Sequence, residues 1–236
     1  MKDKRDKDIS YFRVLDALEK ARQCPLCELE SERVRRHVDG LIYELVNDPG
    51  IRAELIRSKG YCAGHAHVLL DFRDTLGTAI LYQDQVHGFL DFLDNAADAS
   101  PRAAARTIAQ YAQHEECPLC RLQREFRERD VSTLIEGLLH EEMRGAFQAC
   151  PGLCAPHFLL ALKTAQDETV RKVLIETERL KFRDLLHDLE ELCRKHDYRF
   201  QHEGLGKEAD SWRRAVQMMV GKQDIPAVAK DPLWNS

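Results

Sequence analysis

Two Cys-Pro-Leu-Cys tetrads, Cys24–Cys27 and Cys117–Cys120, are each followed by a Cys-Ala-x-His, at Cys62–His65 and Cys154–His157. The second and third cysteines are 35 residues apart in the first copy and 34 in the second. Three thiols and an imidazole make one complete tetrahedral ligand set, and the chain carries two of them. Such a chain has to fold so that helix starts far apart in sequence meet. The spacing predicts one closed site in each half. Cys24, Cys27, Cys62 and His65 would form the first, and Cys117, Cys120, Cys154 and His157 the second. The expected cofactor is structural zinc, two ions in all, because a closed four-ligand site leaves no vacancy for water or substrate. The alternative is an iron–sulfur cluster, in which histidine sometimes replaces cysteine.

The two copies lie 92 to 93 residues apart, and more than the ligands repeats. Gly60 falls on Gly152, Ala63 on Ala155, and Leu15 and Leu18 fall on Ile108 and Tyr111. Repeats of this length are supersecondary units that need a neighbour to bury their apolar faces. Residues 1–95 are therefore expected to form a first helical repeat and 101–200 a second, joined through the stretch from Asn95 to Pro101.

Almost every segment reads as helix. Ser10 is a plausible N-cap for a helix carrying Val14, Leu15 and Leu18. Leu26, Leu29, Val34, Val38, Leu41, Ile42 and Leu45 recur at three-and-four spacing, which predicts a helix from Pro25 to about Val46. Asp48-Pro49-Gly50 stops it, and a short helix from Ile51 to Lys59 closes at Gly60. A further helix starts near Cys62 and runs through Val68, Leu69, Leu70 and Phe72, and a long one carries Ile80, Leu81, Val86, Phe89, Leu90 and Leu93. The second repeat ends in a long helix over about 168–196. No stretch alternates with period two, so no sheet is expected. The predicted fold is all-α: a bundle of two similar metal-clamped halves plus an amphipathic C-terminal helix at 206–222, with 223–236 as a tail. Trp212, Val216, Met219 and Val220 form that last helix's apolar stripe, which needs a surface to cover it.

The ligand tetrads suit helix starts. The first cysteine takes the N-cap, and proline takes the first helical position, where no N–H is needed. Unpaired N–H groups and the helix dipole there favour thiolate over thiol. A thioredoxin-like reading of Cys-Pro-Leu-Cys fails, since that motif belongs to a βαβ setting. Cys150 stands where the first repeat has Ser58 and reads as a bystander, with an alternative ligand or, in a redox protein, a resolving thiol as the other readings. Cys193 reads as a core thiol. His67 has no counterpart, because Leu159 holds its place in the second copy. His37, His87, His114, His140, His187, His196 and His202 also lack repeated partners and read as surface or interhelical residues. No catalytic signature is present, neither His-Glu-x-x-His nor Gly-x-Ser-x-Gly nor a phosphate or dinucleotide loop.

Composition narrows the partners. The chain of 236 residues has a formal net charge of −5, and its basic runs, such as Arg124 to Arg129, are interleaved with glutamate. That pattern marks a solvated helix rather than a nucleic-acid surface. No run is long and apolar enough for a membrane span, and the charged first residues lack the apolar core of a secretory signal. A cytoplasmic protein is expected, where paired cysteines serve as metal ligands more often than as disulfides. The doubled Cys-Pro-Leu-Cys and Gly-x-Cys-Ala-x-His halves resemble an uncharacterised prokaryotic family, a domain of unknown function, over roughly Ser10 to Lys222. The resemblance implies a bacterial or archaeal cytosolic protein and brings no activity with it. Two functions remain in view: a zinc-stabilised module that binds another protein or a second copy of itself, and a metal- or thiol-based redox sensor.

Overall fold

A computed structural model describes residues 8–97 and 99–222. Among the described residues there are eleven α-helices and no strand, so the all-α expectation holds. The described chain forms two compact units, one built from residues 8–31 and 126–222, the other from 32–125. The chain leaves the first unit within α2 (Pro25–Gly40) and re-enters it within α7 (Pro118–Gly137).

The first unit contains α1 (Ile9–Lys20), the start of α2, the end of α7, α8 (Glu141–Ala149), α9 (Ala155–Thr164), α10 (Glu168–Lys195) and α11 (Ser211–Val220). Asp8, not Ser10, caps α1, accepting from the Tyr11 N–H at 2.9 Å, so the helix starts two residues earlier than expected. Asp167 caps α10 in the same way through the Val170 N–H at 3.0 Å. The core of this unit is continuous: Val14 and Leu18 of α1 join Leu26, Leu134, Leu138, Met143, Phe147, Leu153 and Leu174, and none of them is more than 2% exposed.

The second unit contains the rest of α2, a π-helical turn (Leu41–Leu45), α3 (Pro49–Ser58), α4 (Ala63–Asp71), α5 (Thr75–Ala97), α6 (Pro101–Ala112) and the start of α7. Its core is smaller, drawn from Val34, Val38, Leu41, Leu55, Leu69, Leu81 and Leu119. Asp48 caps α3 through the Ile51 N–H at 3.0 Å, with Pro49 in the first turn. Lys59, at φ 58°, and Gly60, at φ 86°, end that helix together. In the corresponding place of the other copy, α8 ends at an extended Cys150, and Gly152 turns the chain at φ 111°.

These units are not the two repeats expected at 1–95 and 101–200. Each takes the Cys-Pro-Leu-Cys of one repeat and the Cys-Ala-x-His of the other. The chain passes from one unit to the other within α2 and within α7, between the two halves of each motif. At 1.5 Å per residue, α2 and its π turn are about 30 Å long and α3 about 15 Å. Likewise α7 runs about 30 Å and α8 about 14 Å.

The C-terminal helix corrects a second expectation. It packs on α9 and α10, but through Ser211 and Met218 rather than through the Trp212 stripe. Trp212, Val216, Met219 and Val220 are all more than half exposed. Arg214 fixes this orientation by donating to the buried carboxylate of Asp188 at 3.0 Å. The tail from 223 to 236 lies outside the described residues.

Candidate metal centres

All four ligand pairs open helices. Cys24 and Cys117 immediately precede α2 and α7, whose first residues are Pro25 and Pro118, and Cys62 and Cys154 are the N-caps of α4 and α9. Each helix start therefore presents two donors one turn apart, in a place where free N–H groups favour negative charge.

The eight expected ligands gather into two clusters, with the pairs crossed. Cys24 and Cys27 meet Cys154 and His157, while Cys62 and His65 meet Cys117 and Cys120. In both clusters the four donor atoms lie within 4.8 Å of one another. In the first, Cys27 Sγ is 3.5 Å from Cys154 Sγ, and His157 Nδ1 is 3.5, 3.4 and 3.1 Å from the sulfurs of Cys24, Cys27 and Cys154. In the second, Cys120 Sγ is 3.6 Å from Cys62 Sγ, and His65 Nδ1 is 3.3, 3.7 and 3.4 Å from Cys62, Cys117 and Cys120. Bonds of about 2.3 Å to sulfur and 2.0 Å to nitrogen set tetrahedral ligand atoms about 3.5–3.8 Å apart. The donor set and its spacing thus fit one tetrahedral ion in each cluster.

Electrostatics asks for the same thing. All eight cysteines are free thiols, and the ligand cysteines are buried except for Cys62, which is half-buried. Hydrogen bonds from Cys154 and Cys24 push the Cys27 thiol far below its usual range, and those from Cys117 and Cys120 do the same to Cys62. Burial pushes Cys24 far up, and contact with Cys117 and Cys62 pushes Cys120 up. Burial lowers His65, but the sulfurs of Cys117 and Cys62 outweigh it and raise the imidazole to about 9. Three thiols this close cannot all ionise without a cation among them, and a divalent ion removes that conflict.

Three contributors to the first centre escaped the sequence reading. Glu30, buried, places Oε2 3.2 Å from His157 Nε2, the ring nitrogen that does not face the sulfurs. Arg127 holds that carboxylate by donating to Oε1 from Nη2 at 2.9 Å and from Nε at 3.2 Å. A carboxylate behind a ligating histidine fixes its tautomer and raises its basicity. The third is Gly221, at φ 89° just after α11: a Cβ there would stand 3.5 Å from Cys27 Sγ and 3.7 Å from Cys154 Sγ. Backbone therefore lies directly against the cluster. A signal for Glu30 was available, since it interrupts the stripe of Cys27, Val34, Val38 and Leu41 with an acid.

The other sequence candidates lie elsewhere. Cys150 is buried outside the cluster, its thiol donating to the Phe147 carbonyl at 3.2 Å, and the Lys181 ammonium reaches its sulfur at 3.5 Å. Cys193 is exposed on α10, contrary to the core position expected of it. His67 is exposed, with Nδ1 2.6 Å from the Ala63 carbonyl oxygen.

The chain belongs to a family of unknown function, DUF6062, whose model matches residues 4–225. It is similar to an uncharacterized 23.9 kDa protein in the xynA 3′ region of Caldicellulosiruptor sp. (strain Rt8B.4), at 27% identity over 205 residues, covering 85% of this chain and 96% of that protein. No solved structure matches. No helix among the described residues is long and apolar enough to cross a membrane.

Proposed function

We propose that this protein is a zinc-stapled helical scaffold that works by associating with protein, not by catalysis. The observation that carries the reading is the pair of four-donor Cys3His clusters with tetrahedral spacing. Each would bind two helix starts that are far apart in sequence, and each would leave the ion no open position. Binding at such sites couples directly to folding, so zinc would supply what a core of this size lacks.

The second unit supplies a surface for association. The α5–α6 hairpin is pinned by Phe92 on Tyr111, with ring centres 4.5 Å apart, and α6 buries no residue at all. Val86, Leu90 and Leu93 on α5 and Ile108 on α6 are 44–57% exposed. α5 carries Asp84, Asp91 and Asp94 and no Lys or Arg, whereas α6 carries Arg102 and Arg106 and no acid. A hairpin with one acidic and one basic helix complements a second copy of itself across a two-fold axis, α5 on α6. A second copy of this chain is thus the expected partner, closing a four-helix bundle.

Elemental analysis of protein purified without oxygen tests the metal reading. About two zinc per chain in a colourless sample is the expected result, one for each four-ligand site. Iron in a brown sample would replace the reading with the cluster alternative, and the absence of any metal would end it. Light scattering tests the partner: the intact chain should be a dimer, and Leu90→Glu should leave a folded monomer. A monomeric parent chain would overturn the self-association.

A further inference from the structure

We infer that the two centres differ in kind. Cys24, Cys27, Cys154 and His157 would hold their ion permanently, whereas Cys62, His65, Cys117 and Cys120 would form an exchangeable site that takes up and gives up metal through Cys62. The inference rests on the reading that both sites hold zinc.

Access separates them first. Every ligand of the first centre is buried, but Cys62 of the second is half-buried. A chelator or a competing thiolate removes an ion by displacing its ligands one at a time, and it starts with the one it can reach. In the first centre it can reach none until part of the unit opens, so release there is tied to local unfolding. The cover supplied by α11 and Gly221 belongs to that centre alone. The first repeat passes from α5 straight into α6, which is the second repeat's version of α1, so it has no counterpart of α11.

The surroundings of the histidines separate them again. Glu30 stands behind His157, clamped by Arg127. The repeat places Gln123 where Glu30 stands, an uncharged and fully buried amide. Among the described residues no carboxylate pairs with His65, whereas Glu30 Oε2 stands 3.2 Å from the Nε2 of His157. Loss of a carboxylate behind a metal-bound histidine costs roughly 10- to 100-fold in affinity. Both differences run the same way: the more accessible centre is also the less tightly supported one.

Release kinetics test this. Zinc-loaded protein in a Cys193→Ser background, which removes the exposed thiol, is mixed with excess EDTA, and remaining zinc is assayed over time. One equivalent should leave at least about 10-fold faster than the other, in line with the support that Glu30 gives. Cys62→Ser should abolish the fast equivalent and leave the slow one. Glu30→Gln should accelerate the slow phase alone, and Gln123→Glu should retard the fast phase alone. If Cys62→Ser does not fold, iodoacetamide on the loaded parent protein serves instead, and Cys62 should be the first ligand alkylated. Release of both ions at one rate, a fast phase that traces to Cys27 or Cys154, or first alkylation at another ligand would overturn the inference. A purified protein with no zinc would instead overturn the proposed function beneath it.

Discussion

α1 and α6 occupy the same place in the two repeats, each leading into a Cys-Pro-Leu-Cys, yet the structure treats them in opposite ways. α1 buries Tyr11, Val14, Leu15 and Leu18 in the core of the first unit and packs on α8. α6 buries nothing; its Ile108, the counterpart of Leu15, is 55% exposed. The ligand geometry is repeated almost atom for atom while the packing around it is not. Four donors around an ion tolerate no change of type or spacing, whereas an outer helix need only find one apolar surface. The first unit has invested its repeat in a core, with α11 added over it. The second has left its hairpin facing solvent, and the same contrast recurs at the centres, one sealed and supported, the other reachable.

The largest expected effect breaks the contrast at its root. Cys27→Ser should cost more than about 4 kcal/mol, the range reserved for loss of a metal or a buried network. Hydrogen exchange should show the opening in residues 8–31 and 126–222, where Cys27 and its partners lie. Paired substitutions test the crossed assignment: Cys27→Ser with His157→Asn should be strongly non-additive, since both act on one ion. Cys27→Ser with His65→Asn should add to within about 0.5 kcal/mol, as independent sites do. The reverse pattern would return the ligands to their own repeats.

Truncation after Gly204 comes next, because it removes what distinguishes the first unit. Met218 leaves its buried site, Asp188 loses Arg214 and Lys207, and Gly221 no longer covers Cys27 and Cys154. Burial of the Met218 side chain alone is worth about 2 kcal/mol, so the loss should exceed that. Zinc release from the first centre should then approach the rate of the second. If the truncated chain melts and releases zinc as the full chain does, α11 is an ornament of the unit and its cover of the centre means nothing.

Most of the helices were legible in the sequence, because three-and-four periodicity, Asp48-Pro49-Gly50 and the paired cysteines are local signals. The eight ligand candidates were legible for the same reason. Their partition was not, because motif spacing counts residues and cannot show direction. The chain passes between the units inside α2 and α7, and nothing local in either helix marks where it does so. The buried face of α11 was also misread. Counting apolar residues favours the stripe of Trp212, but Arg214 has to face Asp188 on α10, and that ion pair turns Met218 inward. Glu30 left one local mark, an acid on the apolar stripe of Cys27, Val34 and Val38, but that mark could not say that it meets a histidine 127 residues away.

Glu178 sharpens the comparison through pH. It is buried in the first unit on α10, accepting the Leu153 N–H at 2.8 Å beside Cys154, and burial lifts its carboxyl to about 7. A carboxyl whose folded value lies above its usual 4.5 favours the folded state while protonated. That contribution is complete below pH 4.5 and is lost as pH rises through 7. Glu178→Gln keeps the acceptor for Leu153 and removes the charge. It should stabilise the first unit by about 1–3 kcal/mol at pH 8, with the gain vanishing near pH 4.5. The second unit should not respond, and thermal melts at the two pH values would show whether the gain depends on protonation.

The smallest expected effect comes from exchanging a residue between the repeats. Cys150 and Ser58 hold equivalent places, and each donates to the carbonyl three residues back, Phe147 and Leu55, at 3.2 Å. Ser58 also reaches the Gly60 carbonyl at 3.0 Å, while Cys150 takes a contact from Lys181 at 3.5 Å. Cys150→Ser preserves the donor and shrinks the side chain slightly in a buried site, so it should cost within about 1.5 kcal/mol. Cys193→Ser, on the exposed face of α10, should cost no more than about 0.5 kcal/mol. Neither should change the zinc content, because neither sulfur belongs to a cluster. Loss of one zinc from the Cys150→Ser protein would make that thiol a ligand after all. The first unit would then owe its tighter centre to an extra donor, not to Glu30 and α11.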